Sequence, residues 1–345
     1  MADLLSVAKL AGVSRATAAR AFSSPELVRP ATREKVFSAA QQLAFRPNKV
    51  AQQLRSQATH MIGVMVPSLD NPVFAEQLQA MEVAARASGY SLIVTTSEYS
   101  HSREGDIVEE MLRQRVDGLV LTVADANKSE VLDKLRLETT PCLLVYNPPG
   151  KSGFPSIGVD NRAASADATR YLITLGHQRI GMVAGPLLQS DRAQQRYEGY
   201  CHAMREAGFT PRPLVEMARH TQADLASLAP ALQGPNALTA VICTNDLLAI
   251  SLMGELQRAG FSVPRDLSVM GFDGIALGKH LYPSLCTIEQ PRANIGRTAV
   301  HTLLAMIRGE SNAPAPLPHA LRKGESVGFP ATSKSTLGTL LRSTV

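Results

Sequence analysis

The chain has 345 residues, 45% of them hydrophobic, and a net charge of +5. That length implies two or three domains rather than one, and that apolar share excludes wholesale disorder. The four cysteines, Cys142, Cys201, Cys243 and Cys286, form no Cys-x-x-Cys pair. Neither a disulfide scaffold nor a zinc finger is therefore expected, and a reducing cytosol fits. No secretory leader and no apolar run long enough to span a bilayer occurs, so neither export nor membrane insertion is expected.

The positive charge is concentrated. Residues 1–60 hold nine Lys and Arg against three acids, a net +6, and the remainder nets −1. This asymmetry points to a nucleic-acid-binding head on a near-neutral body, although a solvated basic face gives the same count. Within the head, Ser6 can cap a helix from Val7 to Ala11 that Gly12 breaks. Ser14 can cap a second helix from Arg15 to Phe22. Ser23-Ser24-Pro25 is turn chemistry, and Pro30 suits the first position of a third helix bearing Val36, Ala40 and Leu43. Val7, Leu10, Phe22, Val36 and Leu43 would close a small core. Two short helices joined through Gly12 form a helix-turn-helix pattern. Arg15, Ala16, Ala19 and Arg20 share one face of its second helix and can enter a major groove, where arginine bonds both acceptors of guanine. Asn48 can cap a further short helix, Lys49 to Arg55, and polar residues to His60 read as a linker.

From Met61 short apolar runs alternate with amphipathic stretches. Strands are predicted over Met61–Pro67, Ser91–Thr95, Gly118–Val123, Cys142–Tyr146, Ser156–Val159, Arg179–Ala184, Ala240–Cys243 and Leu267–Gly271. Helices are predicted over Phe74–Ser88, Arg103–Arg115, Arg162–Leu175, Arg192–Ala207 and Leu247–Ala259. Gly89, Gly176, Gly208 and Gly260 stand where helix C-caps are expected. The alternation implies parallel sheets with helices on both faces, and such sheets bind ligands at the carboxyl ends of their strands.

Enzyme signatures fail on inspection. Gly150-Lys151-Ser152 ends like a phosphate-binding loop, but position 145 is Val where Gly is required. Gly324-Glu325-Ser326-Val327-Gly328 matches a nucleophile elbow, yet no Asp, Glu or His follows Ser326. No Gly-x-Gly-x-x-Gly and no His-Glu-x-x-His is present. No catalytic set, cofactor or metal is expected. A sugar-acting Rossmann-like enzyme and a solute-binding protein are the competing classes; the basic head and the missing export signal disfavour the latter.

Val7-Ala8-Lys9-Leu10-Ala11-Gly12-Val13-Ser14-Arg15-Ala16-Thr17 resembles the head of the lactose-repressor (LacI) family of bacterial transcription regulators. So do Thr32 to Val36 and Arg46-Pro47-Asn48-Lys49-Val50-Ala51-Gln52-Gln53-Leu54. Gln114 to Leu119, Leu175 to Ile180, Ala184-Gly185-Pro186 and Val269 to Asp273 extend the likeness in order to about residue 310. The resemblance implies a helix-turn-helix DNA-binding domain over 1–46, a hinge helix and linker over 47–60, and an effector-binding, dimerising body over 61–330. That body would be two doubly wound subdomains like periplasmic sugar-binding proteins, joined by three crossings. The first would take 61–160 and about 291–330, the second about 161–290. The implied protein is a cytoplasmic homodimeric repressor. It would bind a near-palindromic double-stranded operator and answer to a sugar, sugar acid or sugar phosphate. The sequence does not say whether that effector induces or co-represses.

Residue by residue, the resemblance places Ser14, Arg15, Ala16, Thr17, Arg20, Asn48 and Ala51 at the DNA, with Leu54 as a minor-groove wedge. Ala18 and Ala19 replace the family's usual Val and Ser, which removes one hydroxyl. Arg29 stands where a capping Ser is frequent, and is read as a phosphate contact instead. In the body, Phe74 would stack on the effector, Asn245 and Asp273 would bond hydroxyls, and Arg196 and Arg192 would bind the ligand. Asp125 and Asp160 would lie at the rim, with a helix cap the competing role for Asp160; Asp246 is read as a helix cap. Asn71 to Glu76 is similar to gluconate-type members. Two arginines pair well with a carboxylate or phosphate, which favours an anionic sugar derivative. Leu337, Leu340 and Leu341 are too few for a coiled-coil tetramer.

Overall fold

The computed structural model describes residues 3–46, 58–150, 153–310 and 314–330. The sequence-predicted roles of Asn48, Ala51, Leu54 and the leucines after 330 lie outside these residues. The described residues fall into two compact units, divided between Thr59 and His60.

Among the described residues the head has three α-helices, α1 (Leu4–Leu10), α2 (Arg15–Ser23) and α3 (Pro30–Gln42). The first begins earlier than the sequence predicts. Asp3 caps it, accepting from the Ser6 N–H at 2.8 Å and the Ser6 hydroxyl at 2.7 Å, so Ser6 lies inside the helix. Asp ranks with Ser as a cap, and its carboxylate also suits the positive helix end. Gly12, at φ +66°, makes the turn that a side chain rarely adopts. Ser14 caps α2 through the Thr17 N–H at 3.0 Å. Val7, Ala8, Ala18, Ala21, Val36 and Ala40 form the core, with Phe22 packed between Phe37 and Phe45. Leu10 is 52% exposed and does not belong to it, because α1 turns that side away from α2 and α3.

The body's first half runs β1 (Met61–Val66), α4 (Pro72–Ala87), β2 (Ser91–Thr96), α5 (His101–Arg113), β3 (Gly118–Leu121), α6 (Glu130–Leu135), β4 (Cys142–Val145) and β5 (Ser156–Ile157). Its second half runs α7 (Asn161–Thr174), β6 (Ile180–Ala184), α8 (Asp191–Glu206), β7 (Val215–Glu216), β8 (Ala240–Cys243), α9 (Asp246–Arg258), β9 (Ser268–Asp273) and β10 (Cys286–Glu289). It continues into α10 (Arg292–Ile307) and β11 (Ala320–Arg322). Among the described residues the first sheet is ordered β2-β1-β3-β4-β5 and the second β11-β10-β9-β8-β6-β7. Both follow one plan: the strand after the first helix lies on one side of the founding strand, and the later strands on the other. All pairs are parallel except β10–β11. Interior strands such as β4 and β8 read as unbroken apolar runs because helices cover both faces. Ile62, Val64, Leu143 and Val145 pack against α4 and α10, while Met65, Leu119 and Leu121 pack against α5 and α6.

The chain crosses between halves after β5, after β10 and after α10. The sequence assigns all of about 291–330 to the first half, and the structure divides that stretch. Helix α10 buries Ile295, Ala299 and Leu303 in the first half's core, whereas Ala320–Arg322 pairs antiparallel with β10 in the second sheet. The short β11 satisfies the backbone groups on the free edge of β10, a use that no periodicity in three residues announces.

Candidate functional site

In the head, Arg15, Ala16 and Arg20 are exposed on one face of α2, and Ala18 and Ala21 are buried on the other. The guanidinium groups of Arg15, Arg20 and Arg29 make no hydrogen bond among the described residues and so stay available for base edges or phosphates. Arg29 occupies the N-cap position of α3 without a side-chain cap bond, and Pro30, which has no N–H, opens that helix. Ser14 and Thr17 are tied together, their hydroxyls 2.9 Å apart.

In the body, a polar cavity opens between the carboxyl ends of the two sheets, next to the points where strand order reverses, β1/β3 and β6/β8. Parallel sheets leave such a crevice there because neighbouring loops depart to opposite faces. Phe74, Arg192, Arg196, Asn245 and Asp273 all line it. Asp160 does not. It is exposed and caps α7 through the Ala163 N–H at 2.9 Å. Asp125 does not either. It is buried, accepts from the Asn127 N–H at 2.9 Å and pairs with Lys128 at 3.4 Å. The cap predicted for Asp246 belongs to Asn245, whose Oδ1 takes the Leu248 N–H at 2.9 Å. Asp246 is turned inward and accepts from Thr287 and from the Ile275 N–H at 2.7 Å. Burial, then Asp273, pushes its carboxyl up to about 7.

The two arginines are each fixed by one edge. Arg192 Nη1 donates to the Val123 carbonyl at 2.7 Å and to Asp191 at 3.1 Å. Arg196 donates through Nε to Asn161 at 2.8 Å and through Nη1 to the Thr244 carbonyl, and lies 3.7 Å from the centre of the Phe272 ring. Among the described residues Nε and Nη2 of Arg192 and Nη2 of Arg196 make no hydrogen bond, and both side chains line the cavity. Asp273 lies 3.6 Å from Arg196 and accepts from Gln290 at 2.8 Å. Burial raises the Asp273 carboxyl against the pull of Arg196, and burial lowers Arg196 to about 10, so the guanidinium stays charged at neutral pH. Asp273 has φ +116°, a backbone cost that tends to gather at ligand sites. Among the described residues Gln290 Oε1, buried at the same wall, has no hydrogen-bond partner. The wall thus offers fixed, half-used donors beside acceptors, suited to a small ligand bearing an anionic group and hydroxyls.

Tyr99, Tyr146, His220 and Gln290 also line the cavity and went unread in the sequence. Tyr146 ends a strand that the sequence does predict, so the strand-end rule reaches it. Gln290 follows β10, which has no clear apolar pattern, and Tyr99 and His220 sit in loops.

A helix-turn-helix head and a two-sheet body with a polar cleft define a ligand-responsive DNA-binding regulator. Residues 3–48 match the family of bacterial regulatory proteins of the lacI type, and residues 59–325 match the periplasmic binding proteins and sugar binding domain of the LacI family. The chain belongs to the LacI family of transcription regulators and is not an enzyme. It is 32% identical over 313 residues to the HTH-type transcriptional repressor PurR of Aliivibrio salmonicida, covering 89% of this chain and 93% of that protein. It is 30% identical over 311 residues to the HTH-type transcriptional repressor CytR of Escherichia coli, covering 90% and 91%. The Lac repressor dimer bound to operator and the anti-inducer ONPF superposes with a TM-score of 0.85 at 27% identity, covering 95% of this chain and 99% of that one. Among the described residues no helix is long and apolar enough to cross a membrane.

Proposed function

We propose that the protein is a cytoplasmic homodimeric repressor that binds a near-palindromic operator, with a small anionic sugar derivative as effector. The observation that carries the effector class is the pair of guanidinium groups, each anchored by one edge and open at the other, beside Asp273 and Gln290. The operator reading rests on the bare face of Arg15, Ala16 and Arg20, and the dimer on likeness to a repressor that binds operator in that form. Two-fold proteins favour two-fold sites. The hinge over 47–60, with Asn48, Ala51 and the Leu54 wedge, belongs to the same proposal and rests on sequence likeness.

The test is fluorescence anisotropy with DNA from the protein's own promoter, with and without D-gluconate, and calorimetry against gluconate and glucose. Specific binding that an acidic sugar alters is the expected result. Equal, weak binding to every duplex overturns the operator reading, and binding of neutral sugars alone overturns the effector class. Arg15→Ala should cost about 1–3 kcal/mol and relax the preference at one base pair. Arg29→Ala should weaken all sequences alike and flatten the salt slope by about one charge. An unchanged slope would remove Arg29 from the phosphate contacts.

A further inference from the structure

Two aromatic rings meet across the cleft. Tyr99 comes from the turn after β2 in the first half and His220 from the loop after β7 in the second. Their centroids are 4.0 Å apart and their planes 26° from parallel. Both residues are half-buried, whereas Arg192, Arg196 and Asp273 are buried, which puts the stack at the outer rim.

Each ring is positioned by its own half. Glu98 and Tyr99 both have positive φ, +52° and +59°, a costly pair for non-glycine residues. The turn is tied to the end of β1 by the Ser97 N–H on the Val66 carbonyl, to the next residue by the Glu98 N–H on the Pro67 carbonyl, and braced by Arg103 on Glu98 at 2.6 Å. On the other side the His220 carbonyl takes Asn245 Nδ2 at 2.6 Å, and its Nε2 lies 3.2 Å from Gln189 Oε1. Gly185 makes room, since a Cβ there would stand 2.6 Å from His220 Cα and Nδ1. Outside the cavity lining a second set of bonds spans the halves: Asp191 accepts from the Ala126 N–H at 3.0 Å and from Asn147 at 2.9 Å.

We propose that the Tyr99–His220 stack is a latch across the mouth of the cleft, which must part before the two halves of the body can separate. This concerns how the halves are held, and it stands or falls independently of what the cleft binds.

The latch is also acid-sensitive. The groups facing the His220 ring are the Arg192 guanidinium of α8, the neutral Gln189 and the Tyr99 ring. Burial, then Arg192, lowers the imidazole from 6.5 to about 4 in the stacked form. The neutral ring is therefore the stacked one. The contribution to closure is complete above pH 6.5 and is lost as pH falls from there toward 4, because a released ring takes up a proton more readily.

The test uses the full chain with cysteines introduced at exposed Arg113 on α5 and Arg258 on α9. The four native cysteines are buried, so spin labels go to the introduced sites. Labelled chain is diluted with unlabelled chain, and the distance between the labels is measured by electron-spin methods. The parent should give mainly the short distance. Tyr99→Ala, Tyr99→Leu and His220→Ala should each raise the ratio of separated to closed forms by about 2- to 13-fold, the worth of one aromatic pair. The double variant should do no more than the larger single one. In the same samples His220, followed by NMR, should titrate near 4 in the parent and move toward 6.5 in Tyr99→Ala. An unchanged distance distribution, additive effects, or a His220 titration indifferent to residue 99 overturns the latch.

Discussion

Arg196→Met should lower the stability of the body by about 3–5 kcal/mol, the usual cost of stripping one partner from a buried charge pair. Two acceptors lose their donor at once, Asn161 Oδ1 and the Thr244 carbonyl, and the Asp273 carboxylate loses the positive charge 3.6 Å away. Little water can replace it, since Arg196 and Asp273 are 7% and 3% exposed. A urea midpoint measured at constant slope reads the loss directly. Asp273→Asn should cost less, because Arg196 keeps its two fixed bonds and the face of Phe272. The double replacement should recover part of the Arg196→Met loss, since no ionised group is then left unpaired. A variant as stable as the parent would mean that the cluster adds nothing to the fold and serves binding alone.

Gly199→Ala should destabilise the second half by about 1–3 kcal/mol or more, through overpacking between α7 and α8. The added Cβ would stand 2.1 Å from the Arg162 carbonyl oxygen, and a backbone atom held in a helix cannot step aside as a side-chain tip can. Gly105→Ala in α5 is the matching control. Its nearest neighbour would be Val131 Cγ2 at 3.9 Å, an ordinary contact. Alanine there should raise stability by up to about 1 kcal/mol through helix propensity. Thermal melts of the two variants should therefore move in opposite directions. Equal shifts would mean that the helix pair can spread, and that close approach at residue 199 is not required.

The sequence was most legible where one period ran uninterrupted. Strands such as Cys142–Val145 and Ala240–Cys243 are all apolar between turn signals, and the helices around them keep one apolar face. It was silent where tertiary pairing decides. Cys286–Glu289 mixes Thr and Glu into a strand and is held by β9 and β11; Ala320–Arg322 is too short to show a period. Caps slipped by a residue or more: Asp3 serves in place of Ser6, and Asn245 in place of Asp246. Several polar residues near one helix start are equally good on paper, and only the backbone geometry chooses among them. In the site, Arg192, Arg196 and Asp273 could be placed because they sit in motifs. Tyr99 and His220 could not, since they lie in loops and become neighbours only once both sheets are folded.

The three passages of chain between the halves of the body carry a consequence of their own. A pair of lobes sewn together at three points has few ways to move: sliding strains every seam, while pivoting about a line through them strains each only slightly. One nick or insertion at a seam leaves the lobes moored by the other two. Such damage should therefore loosen the pivot without setting either lobe adrift.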